Sequence, residues 1–479
     1  MTLEHYSQDQ DFTIQGHWWR PGGHHRPAGD LIFANERIQL KLLGAFDDAE
    51  GEHPFNRKMA VMEMPIIYGE SAKGTRITLL NSFYTNWKPA VNFRSKLAVP
   101  VQASVLHCNT MLIGRHSQHE DEECFKRCYL TIPNLDRWLD DRPFQFDFED
   151  ATEFVGVKYK MPPTRSYDLP DRLGEFIFSP SVIPPVTPWD DVTITNRTRV
   201  QIRFEKPKSF SQIMTIVENI NRLFTLLMGR VVQATRTRLV GVGESLADGC
   251  EVYLPKERLE QPQMNPWEFS FRYPEISQWF QDILKSWFGQ SNEIKHALDL
   301  VFSSLQKPGR FLETKFLPFV QAVEVYSRAV NPGRLVEKSV YKPIRMQIEN
   351  AIPKSIDPEL EEAIKRKLQY ANERTLRERF LKILDELQTE TKSLFCKNEK
   401  DFVRGVVETR NHLTHYSGSS KNVLSDAGLY WATVKLQTLM KVLLLKRLGI
   451  PEKELVNLLS QNDSINGERQ AWQNVPECG

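Results

Sequence analysis

The chain lacks the features that would place it outside the cell or in a membrane. Its six cysteines (108, 124, 128, 250, 396 and 478) are scattered without paired spacing, which excludes a disulfide framework and fits a reduced compartment. No run reaches the roughly 18 uninterrupted apolar residues that a membrane span needs. The greasiest stretch, Leu436 to Ile450, is broken by Lys441, Lys446 and Arg447. The opening residues MTLEHYSQDQDF are polar and acidic, with no apolar core of a secretory signal, and predict a cytoplasmic protein. An excess of one charge is missing too. Against 62 Lys+Arg stand 61 Asp+Glu, and a net charge of +1 excludes a protein that works by global attraction to nucleic acid or anionic lipid. Any polyanion site must be local. There is no internal repeat and no low-complexity tract, so solenoids and wholesale disorder are excluded as well.

What is present is an ordinary globular composition: 479 residues, 41% hydrophobic and 26% charged. At roughly 100 to 200 residues per domain that length predicts two to four domains. The first 290 residues hold 33 basic and 37 acidic residues, the remainder 29 and 24, so the C-terminal part is the better candidate for binding a polyanion.

The two parts also differ in periodicity. From Asp11 to about Phe204, short runs alternate apolar and polar residues between Gly and Pro: DLIFANERIQLKLLG, PIIYGESAKGTRITLLN, ECFKRCYLTI, TRVQIRFEKP. Period two with frequent turns predicts an antiparallel sandwich or barrel. Ser209 to Gly229 carries apolar residues at helical spacing and predicts a helix packed on that sheet, with further strands in VVQATRTRLVGVG and CEVYLP. Pro255 to Pro274 looks like a connecting region. After about Ile276 the period becomes 3.6, predicting helices near 275–288, 292–306, 311–330, 357–371, 375–396, 399–416, 426–448 and 451–460. The prolines at 332, 343 and 353 predict a loop with at most short helix over 331–353. The fold class is therefore α+β, with a mainly antiparallel β domain at 1–285 and an all-α helical bundle at 286–479.

Several groups of residues invite a chemical reading. Gly69 to Thr75 has the outline of a phosphate loop but lacks Lys after its second Gly, so a strand-to-strand turn is the better reading. His107, Cys108, His116, His119, Cys124 and Cys128 are soft ligands without the tight spacing of a zinc site, and Cys124 and Cys128 share a strand face with Leu130 and Ile132; core cysteines are expected. Trp18, Trp19, Trp87 and Trp138 could suggest a sugar platform, although tryptophans in sandwich cores are commoner.

The segment VVETRNHLTHYSGSS, Val406 to Ser420, is different. It places Arg410, Asn411 and His415 at the end of a predicted helix that should stop at Ser417-Gly418. Asn411 and His415 are i,i+4 neighbours, and the long side chain of Arg410 can reach the same spot. A guanidinium grips phosphate, and an imidazole moves protons near neutral pH. These are the parts for metal-free RNA cleavage through a 2′,3′-cyclic phosphate. A second Arg-x4-His match, Arg20 to His25, lies in the loop RPGGHH, where no helix can form.

The Arg410-Asn-His-Leu-Thr-His415 string resembles the Arg-polar-x3-His motif of HEPN ribonucleases. Upstream, Glu324 and Arg328 in FLPFVQAVEVYSR resemble the Glu-x3-Lys/Arg pair of many such nucleases, and NERTLRERFLKIL is similar to the ApeA-like HEPN subfamily. FTIQGHWWRPG, GDLIFANERIQLKLLGAF and IIYGES resemble the N-terminal domain of ApeA anti-phage proteins. This resemblance implies an abortive-infection endoribonuclease that cleaves cellular RNA, tRNA among the candidates, once infection is sensed. It implies Arg410 as phosphate ligand, Asn411 as orienting group, His415 as general acid or base, and Glu324 and Arg328 in support. It further implies a homodimer, no metal or cofactor, and a β-rich regulator answering a phage-derived component, most simply a protein. The rival expectation is a catalytically silent HEPN and β-domain binding module.

Overall fold

The computed structural model describes residues 6, 10–35, 37–44, 46, 63–88, 103–147, 156–183, 193–255, 261–290, 293–306, 311–331, 333–415, 422–424, 426–461, 467 and 470–471. Two compact units divide the chain: Met1–Pro266 with Arg272–Pro274, and Trp267–Phe271 with Glu275–Gly479.

The first unit is the antiparallel β region that the alternating runs predict. Its strands are β1 (Phe12–Trp19), β2 (Ala28–Ala34), β3 (Arg37–Leu43), β4 (Glu63–Ser71), β5 (Arg76–Lys88), β6 (Ala103–Ile113), β7 (Phe125–Thr131), β8 (Phe144–Asp147), β9 (Gly156–Tyr159), β10 (Arg165–Leu169), β11 (Gly174–Ile183), β12 (Thr195–Lys208), β13 (Arg236–Gly241) and β14 (Cys250–Tyr253). β1 pairs with β2 and β4, β2 with β3, β3 with β6, β6 with β5, and β5 with β4, so the first six strands close into a barrel. Alternate residues fill it, among them Ile14, Trp18, Leu31, Ile38, Leu40, Ile67, Leu79, Leu106 and Met111. At its far end β6 also pairs with β14, which extends the sheet through β13, β7, β12 and β11 to β10; β8 and β9 form a separate ribbon.

On the extended sheet lies α2 (Phe210–Met228), against β7, while the short α1 (Leu135–Leu139) meets β12. A capping box between Ser209 and Gln212 starts α2, and Gly229 in the left-handed region, φ 83°, ends it. The Gly69-to-Thr75 segment is indeed a turn: Ser71 Oγ accepts from the backbone N–H groups of Lys73 and Thr75 at 3.3 and 3.0 Å. Trp18, Trp19 and Trp138 are buried, which removes them as a sugar platform; the Trp87 side chain lies outside the described residues. The ring of Trp18 lies so close to β4 that a Cβ on Gly69 would come within 2.2 Å of it. Gly69→Ala should therefore destabilise the barrel by about 1–3 kcal/mol, read as a lower chemical-denaturation midpoint; an unchanged midpoint would mean the indole repacks freely.

The second unit is helical: α4 (Phe280–Gln290), α5 (Lys295–Gln306), α6 (Glu313–Val330), α7 (Lys338–Asn350), α8 (Pro358–Tyr370), α9 (Leu376–Asp385), α10 (Thr389–Lys392), α11 (Glu399–His415), α12 (Asp426–Arg447) and α13 (Glu452–Gln461), preceded by the single turn α3 (Tyr273–Ile276). The fold class is thus α+β, as the two periodicities require. Two expectations need correction. The helix expected over 375–396 is two, because the chain turns at Glu386 to Gln388, where Lys446 Nζ donates to Glu386 O at 2.8 Å and the Gln388 N–H donates to Glu452 Oε1 at 2.6 Å. The loop expected over 331–353 contains the 13-residue α7. Pro332 and Pro353 punctuate its flanks, and only Pro343 lies inside. Helical side-chain links persist around it, with Arg345 paired to Glu349 at 2.6 Å and Tyr341 Oη donating to Leu368 O of α8 at 2.5 Å. Neither α7 nor α8 has a buried residue, and Val340, Ile344, Met346, Ile348, Leu360 and Tyr370 are exposed.

Candidate functional site

The site is built on α11. Its buried seam, Phe402, Val403, Gly405, Val406 and Thr409, follows helical spacing and packs the helix against α6 and α9. At about 100° per residue, Asn411 and His415 fall on the side away from that seam, with Arg410 between the two faces. Exposure agrees: Arg410 and Asn411 are half-buried and His415 is exposed. The structure joins Arg410 to Asn411 directly, because Arg410 Nη1 donates to Asn411 Oδ1 at 3.1 Å. That bond uses the amide oxygen and leaves most of the guanidinium fork for another group. Thr414 Oγ1 donates back to Arg410 O at 2.8 Å and reinforces the last turn.

The chain beyond the motif returns onto α11. The Leu424 N–H donates to Thr409 Oγ1 at 2.9 Å, and that hydroxyl donates to Gly405 O at 2.7 Å. Asn422 Nδ2 donates to Glu408 Oε2 at 3.0 Å. The Thr409 bonds lie on the buried seam, whereas Glu408, three residues before Asn411 and seven before His415, stands on the motif face, so the Asn422 bond tethers the returning chain beside that face. The stop expected at Ser417-Gly418 lies outside the described residues.

Glu324 and Arg328 stand one turn apart on α6 and are ion-paired at 3.1 Å; Arg328 also reaches Glu373, ahead of α9, at 3.4 Å. Among the described residues neither bonds to Arg410, Asn411 or His415. They link α6 to the start of α9, and both helices pack against α11. Sequence reasoning missed Arg379 beside them. It sits at the apolar spacing of Leu376, Phe380 and Ile383, is 4% exposed, and donates through Nε to Arg374 O at 3.1 Å. Burial, and then the nearby Arg328 charge, hold its guanidinium below the usual arginine range. A charged residue in an apolar position of NERTLRERFLKIL was the available signal.

The His/Cys group of the β unit does not converge. Cys108 and Cys128 are buried on different strands, and burial pushes the Cys108 thiol up to about 12. His107 hydrogen-bonds to Gln39 at 3.1 Å and stacks on Phe83, whereas His116 Nε2 meets Gly69 O at 2.9 Å. Among the described residues no cluster of His, Cys, Asp or Glu could hold a metal ion, and no helix is long and apolar enough to cross a membrane.

Against known families, residues 13–287 match ApeA N-terminal domain 1 and residues 317–454 match the Apea-like HEPN domain. The first match covers more than half of the chain, and the second contains Glu324, Arg328, Arg410, Asn411 and His415. No curated protein and no solved structure matches the chain. The strings that carried the resemblance thus belong to two matched domains in the expected order, and the chain is a member of the ApeA-like HEPN family of anti-phage defence proteins.

Proposed function

We propose that the helical unit is a metal-independent endoribonuclease, working in the cytoplasm against cellular RNA, with tRNA the first substrate to try. The observation that carries this reading is the exposed His415 on the same helix face as Asn411, whose amide holds the Arg410 guanidinium. Arg410 would grip a phosphate oxygen and Asn411 would orient that grip. One imidazole would take the proton of a ribose 2′-OH as its oxygen attacks the adjacent phosphorus. The P–O5′ bond breaks, and a second group protonates the leaving 5′-oxygen, giving a 2′,3′-cyclic phosphate and a 5′-OH. Glu324 and Arg328 would position α11 through α6 and α9.

Two copies would complete the chemistry, since each motif carries one His415; the exposed apolar residues of α7 and α8 support self-association of this unit. The β unit would hold the nuclease silent until a phage-derived component, most simply a protein, arrives.

The test is to sequence RNA ends from infected cells expressing the protein, alongside cleavage in vitro with EDTA. We expect cyclic-phosphate and 5′-OH termini and undiminished cleavage in EDTA. A strict Mg²⁺ requirement with 5′-phosphate ends would overturn the mechanism, and no cleavage at all would leave the binding-module reading.

A further inference from the structure

Away from α11, the folded register of the β unit assembles a basic pocket that the linear sequence hides. Tyr129 on β7 stands opposite Gln201 on β12 and Arg238 on β13, and Thr131 stands opposite Arg236. Arg199, two residues before Gln201, has its side chain on the same face of the sheet. Glu251 on β14 is opposite Arg238 in the same row. The other face is apolar, with Cys128, Leu130, Val200, Ile202 and Leu239 buried. One side of these strands thus makes core, and the other carries three arginines.

A cavity of about 410 Å³ opens on that polar face, lined by Tyr129, Thr131, Arg199, Arg236, Arg238, Leu246 and Ala247. Its size is that of a small-molecule site, in the usual range of roughly 300–1,000 Å³. The arginines are not equivalent. Arg236 grips Glu251 with two bonds, at 2.8 and 2.7 Å, and Arg238 reaches the same carboxylate at 2.8 Å. Arg238 is further held by the carbonyls of Ala247 and Gly249, both at 3.0 Å. Arg199 has no carboxylate partner among the described residues. Burial above all, then the Arg236 and Arg197 charges, hold it below the usual arginine range, against the opposing pull of Glu251. Three guanidinium groups face one carboxylate.

We infer that this pocket binds a phosphorylated small molecule, its phosphates gripped by Arg199 with Arg236 and Arg238, and the rest of the molecule lying against Tyr129, Leu246 and Ala247. Several fixed guanidinium forks suit a ligand with more than one phosphate charge. The cavity is too roomy for a lone phosphate ion, and its apolar wall favours an organic body such as a nucleoside. The ordering of Arg236 and Arg238 by Glu251 prepares the site before the ligand arrives. The inference requires no ribonuclease activity, so it stands or falls separately from the function proposed above.

Calorimetry on the full-length chain tests it, with ATP, GTP and UTP as probes, and adenosine, inorganic triphosphate and a short RNA oligomer beside them. We expect at least one triphosphate-bearing probe to bind, adenosine not to, and Arg199→Ala to weaken binding at least tenfold while the thermal midpoint is kept. Arg199→Lys should restore part of the affinity. Tighter binding of a nucleotide than of inorganic triphosphate would support an organic body against the apolar wall, and equal binding would overturn that part of the assignment. Absence of binding by every triphosphate, binding untouched by Arg199→Ala, or binding of the RNA alone would overturn it.

Discussion

Replacing His415 with alanine is expected to lower RNA cleavage on the order of 10²-fold or more while leaving the fold intact. The fold should survive because His415 is exposed, lies on the last turn of α11, and is apart from the seam of Phe402, Val403, Val406 and Thr409 that packs that helix. Arg410→Ala should lose activity through the phosphate grip. Asn411→Ala should lose less, since it frees the guanidinium without removing it. Arg20→Ala and His25→Ala are the matched controls: they share the Arg-x4-His spacing but lie in the loop after β1, where no helix presents the pair. Initial rates on a defined RNA, with circular dichroism to confirm folding, decide the matter. A His415→Ala chain that cleaves like the parent would remove His415 from the mechanism.

The site was legible in the sequence because its parts are local. Arg410, Asn411 and His415 lie within one and a half turns of one helix, so spacing alone places them. The β unit was legible only as a class. Period two gives strands and faces, but closure of the barrel depends on β1 pairing with β4 and β3 pairing with β6, strands far apart in sequence, and no local pattern encodes such pairings. The basic pocket was invisible for the same reason: Arg199, Arg236 and Arg238 meet only because β7 runs between β12 and β13. The error at α7 had another source. The prolines at 332, 343 and 353 read alike in the sequence, whereas two of them flank the helix and the one inside it, Pro343, is tolerated in a helix with no buried residue. Arg379 escaped because charged residues at apolar helix positions are rarely buried.

Dilution should be as damaging as the His415 substitution. Cyclising cleavage uses one group to deprotonate the 2′-OH and another to protonate the 5′-oxygen, and the motif face of a single α11 presents one His415. A two-fold arrangement of two α11 helices would supply the second imidazole from the partner copy. Below the dissociation constant of such a dimer, activity per molecule should fall about tenfold for each tenfold dilution, because the active fraction then scales with concentration. One alternative lies within a single chain. His412 is half-buried and an i,i+3 neighbour of His415 on the helix, so it could act as the second proton carrier without any partner. The two arrangements separate cleanly. A composite site predicts concentration-dependent specific activity and less than a tenfold loss in His412→Ala. A self-sufficient protomer predicts rates per molecule that ignore dilution and a His412→Ala defect as deep as that of His415→Ala, and that pair of results would refute the dimeric site.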